Sequence, residues 1–175
     1  MKATGIVRRI DELGRIVIPK EIRRVLRIRE GDPIEIFTDA DGVVLKKYAR
    51  VRELGDYAET YCEALFSALG FTAAVTDTET VQYAYGPLKK TLLHAALSER
   101  FAETIADRSP VLKPDGDGVL TDGAHPLRLA AVPIISNGDI HGSVVLATED
   151  PRLRLSETEL TILRTAAVYL AKQIQ

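Results

Sequence analysis

The chain has little of several residue types, and each shortage excludes a class of protein. Its 175 residues include a single cysteine, Cys62, and no tryptophan. One cysteine cannot form an internal disulfide or a zinc site built on several cysteines. No apolar run approaches the roughly 20 residues that a membrane helix needs, and the N-terminus lacks the apolar stretch of a secretory signal. We therefore expect a cytoplasmic protein that does not bind a membrane.

Recognisable catalytic and metal-binding motifs are also missing. The histidines, His94, His125 and His141, do not have the spacing of metal ligands. Asp115-Gly116-Asp117-Gly118 resembles the start of a calcium loop but lacks the later ligands and the closing glutamate. The chain has neither a nucleophile elbow nor a glycine-rich phosphate cradle. We expect no metal and no cofactor, and an enzyme in the C-terminal part is an alternative that would need convergent polar residues.

Charge is distributed unevenly along the chain. Residues 1–50 carry 12 Lys and Arg against 8 Asp and Glu, a net charge of +4, whereas residues 51–175 carry a net charge of -6. A basic segment joined to an acidic one suggests that the first segment binds a polyanion and the second does not. We therefore predict two domains, at residues 1–50 and 51–175.

Residues 1–50 predict a β-rich domain with one short helix. The expected elements are strands at residues 6–10 and 15–18, a helix that begins at Pro19, and a hairpin with strands at residues 34–37 and 43–45. So few elements bury little surface, and we therefore expect an obligate dimer. The core that the two chains share is expected to contain Ile16, Ile18, Ile22, Leu26, Ile34 and Ile36.

Residues 51–175 predict an α/β domain with a helix at each end. The expected elements are a helix at 52–69 closed by Gly70, strands at 71–76 and 81–85, a helix through 92–101, a loop at 107–127 with a short strand at 119–120, and strands at 129–135 and 143–147 around an Asn137-Gly138 hairpin cue. Ser156-Glu157-Thr158-Glu159 is a capping box that begins the last helix. That helix has a broader apolar face than one sheet would cover. We therefore expect it to contact the helix at residues 52–69 and a second subunit.

Five arginines are candidate DNA-binding residues: Arg8, Arg9, Arg15, Arg23 and Arg24. Guanidinium groups bind phosphates in a bidentate manner and can read guanine edges. The alternative is that these arginines serve solubility or form salt bridges, for example with Glu12 and Glu21. A helix-turn-helix is not supported, because residues 31–33 lead into a strand rather than a second helix.

The run MKATGIVRRIDELGRIVIPKEIRR, residues 1–24, resembles the AbrB family of transition-state regulators, and the resemblance continues through residues 31–32, 34–36 and 45–48. It implies a swapped-hairpin dimer whose arginines contact DNA. The DNA-contacting arginines of that family correspond to Arg8, Arg15, Arg23 and Arg24. Arg9 stands where relatives often have lysine, which preserves the charge.

An AbrB-like domain followed by a domain of this length also resembles sporulation regulators that end in a GAF domain. The resemblance implies an α+β chain with a swapped-hairpin DNA-binding domain at residues 1–50 and a GAF-like regulatory and oligomerisation domain at residues 51–175. The implied partners are double-stranded DNA, a second copy through residues 1–50, further copies in a homotetramer through residues 51–175, and a small-molecule effector. The implied function is activation or repression of sporulation genes. The alternative is an AbrB-type antitoxin that regulates its own gene and binds a toxin.

Overall fold

The chain folds into two compact units, Met1–Tyr48 and Ala49–Gln175. The structure, a computed structural model, describes residues 5–26, 28, 30–39, 42–48 and 50–174. The first four residues of the AbrB-like run lie outside these ranges. Among the helices within them, none combines the length and the apolar character needed to span a bilayer.

Among the described residues of the N-terminal unit, one helix and one pair of strands form the regular structure. Helix α1 spans Lys20–Val25 and begins directly after Pro19, whose ring fixes the backbone angle that a first helical turn needs. Strands β1 (Ile34–Asp39) and β2 (Gly42–Lys47) pair in antiparallel register. The helix and the hairpin therefore lie where the sequence predicted them.

The two strands predicted before α1, at residues 6–10 and 15–18, are not formed. The backbone bonds between these segments close a turn rather than extend a ladder: the Asp11 amide donates to the Arg15 carbonyl at 3.0 Å. A strand requires a continuous row of bonds to a neighbouring strand. This prediction was wrong for the single chain, because β-prone residues become a strand only where a second backbone pairs with them.

The C-terminal unit is built on a five-stranded antiparallel sheet. Its strands are β3 (Thr72–Thr76), β4 (Val81–Tyr85), β5 (Val111–Gly118), β6 (Leu127–Ser136) and β7 (Asp139–Thr148). Its helices are a 3₁₀ helix at Arg50–Leu54, α2 (Gly55–Leu69), α3 (Lys89–Leu92), α4 (Glu99–Ala106) and α5 (Glu157–Gln173). The strands lie in the order β4-β3-β7-β6-β5.

Both faces of this sheet are apolar, because successive residues of a strand enter different cores. In β6, Val132 and Ile134 contribute to the core that contains α2 and α5, whereas Leu129 and Ala131 contribute to the core that contains α3 and α4. The unit therefore has a helical layer on each side of the sheet, the α/β arrangement that the sequence predicted.

Several element ends lie where local sequence signals predicted them. The Ser156 hydroxyl accepts a hydrogen bond from the Thr158 amide at 3.2 Å, and the Glu159 carboxylate accepts one from the Ser156 amide at 2.8 Å, which completes the capping box of α5. Gly70, with a φ of +77°, ends α2 in the left-handed conformation. Asn137 and Gly138, both at positive φ, form a two-residue turn between β6 and β7, as a type I′ hairpin requires.

The helix predicted through residues 92–101 is in fact two short helices, α3 and α4. Helix α3 ends at Leu92, and His94 beyond it has a φ of +65°. The chain beyond it forms bridges to distant residues, Ala96 to Thr80 and Leu97 to Thr121. The prediction of a single helix was wrong because these long-range contacts determine the path of the backbone. A local spacing of apolar residues does not contain them.

The loop predicted at residues 107–127 contains β5. Proline, glycine and aspartate make this segment look irregular, and the register with β6 is indeed interrupted between Lys113 and Gly118. Residues on either side of the interruption still pair with β6. The short strand predicted at residues 119–120 is absent, and Leu120 is instead a fully buried core residue.

Candidate nucleic-acid interface

All five candidate arginines are exposed in the N-terminal unit. Arg8 and Arg9 lie before the turn at residues 11–15, Arg15 ends that turn, and Arg23 and Arg24 lie in the last turn of α1. An exposed guanidinium group can reach phosphates without disturbing a core. The solvent-exposed cations therefore lie on the segment before the turn, on the turn itself and on helix α1.

The turn at residues 11–15, here called the Asp11 turn, is closed by the Asp11 side chain. Its Oδ1 accepts hydrogen bonds from the Leu13 amide at 3.0 Å and from the Arg15 amide at 2.8 Å. The Gly14 amide donates to the Asp11 carbonyl at 2.9 Å. Gly14 has a φ of +76°, a conformation that a residue without Cβ adopts at little cost.

Arg15 forms an ion pair with Asp11, whereas the sequence predicted Glu12 and Glu21 as the acidic partners of the arginines. The Arg15 Nε lies 2.8 Å from Asp11 Oδ2. Hydrogen bonds from the backbone and the side chain of Arg15 lower the pKa of Asp11, so the carboxylate stays charged at neutral pH. The available signal was an aspartate at the start of a turn, where its side chain commonly accepts amide bonds from residues further on.

Helix α1 presents its arginines because it is short and has no buried residue. The Arg23 amide donates to the Pro19 carbonyl at 2.9 Å, which places Arg23 one turn beyond the start of the helix. Cations in the last turn of a helix interact favourably with the helix dipole. Pro19 is buried and Ile22 is half-buried, while Arg23 and Arg24 remain in solvent.

A groove of about 210 Å³, here called the N-terminal groove, is bordered by four of the predicted core residues and by Arg8. The four are Ile16, Ile18, Ile22 and Leu26. Ile16 is 52% exposed and Leu26 is 49% exposed. These side chains therefore form an open apolar surface in the single chain rather than a closed core, which a stable monomer rarely maintains.

A second apolar surface, here called the tyrosine surface, lies where α2 meets α5. The rings of Tyr61 and Tyr169 stack with centroids 5.3 Å apart. Tyr57 is 59% exposed and Val168 is 58% exposed. A shallow cavity of about 330 Å³ opens beside these rings. The terminal helices thus contact each other, as the sequence predicted, and still leave aromatic surface in solvent.

Metal ligands do not cluster within the part of the chain that the structure describes, where no group of three or more His, Cys, Asp or Glu side chains could hold an ion. The backbone amide of His94 donates a hydrogen bond to the Val81 carbonyl at 2.8 Å.

Two protein families match the chain, one in each unit. The family described as "Stage V sporulation protein T C-terminal, transcription factor" matches residues 53–175. The family described as "Antidote-toxin recognition MazE, bacterial antitoxin" matches residues 7–53. The first match covers well over half of the chain.

Two curated proteins of Bacillus subtilis (strain 168) are similar in sequence. Stage V sporulation protein T is 48% identical over 179 residues, which covers 100% of this chain and 99% of that protein. Transition state regulatory protein AbrB is 60% identical over 48 residues, which covers 27% of this chain and 50% of that protein. The similarity to the first relative therefore extends through both units.

Solved structures match each unit separately. The N-terminal DNA recognition domain of the Bacillus subtilis regulator AbrB is 60% identical and covers 27% of this chain and 91% of that chain, with a TM-score of 0.24. The GAF domain of an Acinetobacter phosphoenolpyruvate-protein phosphotransferase is 15% identical and covers 71% of this chain and 87% of that chain, with a TM-score of 0.55. At that identity the second likeness concerns the fold alone, and it confirms the predicted GAF-like fold.

Proposed function

This chain belongs to the family of stage V sporulation protein T and is a DNA-binding transcription regulator, and on that premise we propose that the arginines of its N-terminal unit bind double-stranded DNA. Residues 1–50 form the DNA-binding domain, and residues 51–175 form the regulatory and oligomerisation domain. The regulator acts in the cytoplasm, where a bacterial chromosome lies, on genes that include those of sporulation. It has no catalytic activity of its own.

The exposure of five arginines around the Asp11 turn and α1 is the observation that carries this proposal. Their segment has a net charge of +4 in a chain whose remainder has -6. Contacts from arginine to phosphate supply affinity that is independent of sequence, whereas contacts to base edges and the response to DNA shape supply selectivity. The N-terminal unit can provide both.

Alanine substitution of each arginine tests the proposal. Single replacement of Arg8, Arg9, Arg15, Arg23 or Arg24 should lower DNA affinity by about 1–3 kcal/mol where the side chain reads a base, and less where it contacts a phosphate. Thermal unfolding should not change, because these side chains are exposed. Fluorescence anisotropy at one salt concentration measures the affinity, on a duplex that the wild-type protein selects from random sequences.

Arg152→Ala provides the matched control, because the Arg152 side chain is 88% exposed in the acidic C-terminal unit. Its affinity for DNA should equal that of the wild type. If all five variants of the N-terminal unit also bind as the wild type does, the assignment of these arginines is incorrect.

A second copy of the chain covers the N-terminal groove in the proposed assembly. The predicted core residue Ile36 is 67% exposed on β1, and Val43 on β2 is 65% exposed. Residues 6–10 and 15–18, which are β-prone but form no strand in the single chain, would gain strand partners from the other chain. The second chain would cover the apolar N-terminal groove and would also supply the backbone hydrogen bonds that these segments need to form strands. A homodimer therefore fits both observations.

The tyrosine surface is the proposed contact between two such dimers, which gives a homotetramer. Stacked aromatic rings beside an exposed valine form the kind of surface that subunit contacts favour, since tyrosine combines a large apolar area with a polar end. Burial, followed by the electrostatic interaction with Tyr169, raises the pKa of Tyr61, so the Tyr61 side chain stays neutral at physiological pH.

A small-molecule effector is the remaining proposed partner. The core beside α3 and α4 is filled by side chains such as Leu97, Phe101 and Leu129, which are 1–3% exposed. An effector that enters this face must displace some of them and thereby change how the helices pack. A ligand that binds the folded state raises the melting temperature, so a thermal scan across small metabolites would identify one.

An antitoxin function is the second candidate, and the match of residues 7–53 to the MazE family favours it. The two functions differ in the partner that the protein binds. A small toxin recovered in a fixed ratio with the chain from its native host would support the antitoxin, whereas recovery of DNA alone would support the regulator.

A further inference from the structure

An acidic side chain lies within the basic surface proposed to bind DNA. Asp11 is 42% exposed and forms an ion pair with Arg15, one of the proposed DNA-binding residues. A carboxylate beside a polyanion repels it, so Asp11 should weaken DNA binding unless it contributes something that offsets the repulsion.

The geometry of the pair indicates what that contribution is. Asp11 Oδ1 caps the turn through the amides of Leu13 and Arg15, while Oδ2 accepts from the Arg15 Nε at 2.8 Å. The carboxylate is therefore fixed by the backbone of the turn and in turn fixes the guanidinium. A guanidinium carries five N–H donors in one plane, and this bond uses the one at Nε. The donors at the two Nη atoms form the fork that binds guanine O6 and N7 or a phosphate.

We propose that Asp11 is a positioning residue for DNA recognition, which holds Arg15 so that its Nη fork is oriented before DNA arrives. The proposal rests on the proposed contact between Arg15 and DNA. A mobile arginine loses rotamer freedom when it binds, and a side chain already held in place loses less. Because a base edge demands a stricter geometry than a phosphate does, the benefit is larger for selected DNA than for unrelated DNA.

The two effects of Asp11 have opposite signs, so a charge-removing substitution separates them. Asp11→Asn keeps an Oδ1 acceptor for the turn amides but replaces the oxygen that accepts from Nε with a donor. Glu12→Gln removes the same charge from the neighbouring exposed residue and serves as the matched control. Simple electrostatics predicts tighter DNA binding for both variants, whereas positioning predicts weaker binding for Asp11→Asn alone.

The test measures the affinity of the full chain by fluorescence anisotropy at one salt concentration. The probes are a duplex that the wild-type protein selects from random sequences and a scrambled duplex of the same composition. Asp11→Asn should bind the selected duplex about twofold to fivefold more weakly, the range expected when an exposed pair that orders an arginine is lost. Its affinity for the scrambled duplex should change less, and Glu12→Gln should bind both as tightly as the wild type or more tightly.

The same substitution in an Arg15→Ala background tests whether Asp11 acts through Arg15. Loss of the Asp11→Asn effect in that background supports positioning, because no guanidinium remains to orient. A full effect in that background overturns the proposal, since Asp11 would then act on the turn itself. The proposal is also overturned if the Asp11→Asn variant has the same affinity for the selected duplex as the Glu12→Gln variant. If Arg15→Ala alone binds as the wild type does, the proposed contact between Arg15 and DNA fails, and positioning fails with it.

Discussion

Removal of residues 51–175 is expected to weaken binding to DNA that carries two sites by about 10²–10⁴-fold. In the proposed homotetramer the C-terminal units join two DNA-binding dimers. The second binding event is then intramolecular, which raises the effective concentration of the second dimer without any new DNA contact. The C-terminal unit is a poor partner for DNA itself, because residues 51–175 carry a net charge of -6. On DNA with one site, the truncated chain should lose far less affinity.

The comparison requires full-length and truncated proteins on one-site and two-site duplexes at the same salt concentration. Tyr169→Asp in the full-length chain should reproduce the loss on two-site DNA, since it places a charge on the tyrosine surface. Arg152→Ala, in an exposed loop of the same unit, should leave both affinities unchanged. Equal binding of the truncated and full-length proteins to two-site DNA would show that the C-terminal unit does not join dimers.

Ile36→Asp is expected to abolish both the dimer and DNA binding, with affinity lowered by about 100-fold or more, because an unpaired charge buried between two chains costs several kcal/mol. In the single chain this substitution should cost little, since Ile36 is 67% exposed. The size of the effect therefore depends on whether a second chain covers the N-terminal groove and the hairpin.

Sedimentation at micromolar concentration measures the state of assembly of the Ile36→Asp variant. Ile36→Val is the control, because it keeps a β-branched apolar side chain at the same position and adds no charge. The control should retain the dimer. A variant at Ile36 that remains dimeric and binds DNA normally would exclude the hairpin from the subunit contact.

Much of the fold could be predicted wherever a local signal determines the backbone. Pro19 begins α1, Gly70 ends α2, and the Ser156 capping box begins α5, and each of these acts through bonds within a few residues. The errors fall where distant contacts decide. The end of α3 at Leu92 and the paired ends of β5 depend on bridges and strand partners far away in the sequence.

For the candidate site too, some features could be predicted from the sequence and others depend on contacts that only the structure shows. The arginines could be found from residue type, charge and the resemblance of residues 1–24 to a known family. The role of Asp11 could not, because a run of charged residues does not show which carboxylate meets which guanidinium. Glu12 and Asp11 are neighbours in sequence, yet only the aspartate has a side chain short enough to cap its own turn. The exposed apolar surface of the N-terminal unit could be predicted from the length of the domain, since fifty residues with few elements cannot bury all their isoleucines.

The salt dependence of DNA binding tests most directly whether the arginines of the N-terminal unit hold the nucleic acid. Each contact between a cation and a phosphate releases counterions, and the slope of log affinity against log salt steepens by about 0.9 per contact. The full-length protein should show a steep slope on its selected duplex. The slope should become shallower by about one for each phosphate-contacting arginine removed among Arg8, Arg9, Arg15, Arg23 and Arg24. A variant that lacks all five and still binds that duplex with the slope of the wild type would contradict DNA binding through this surface.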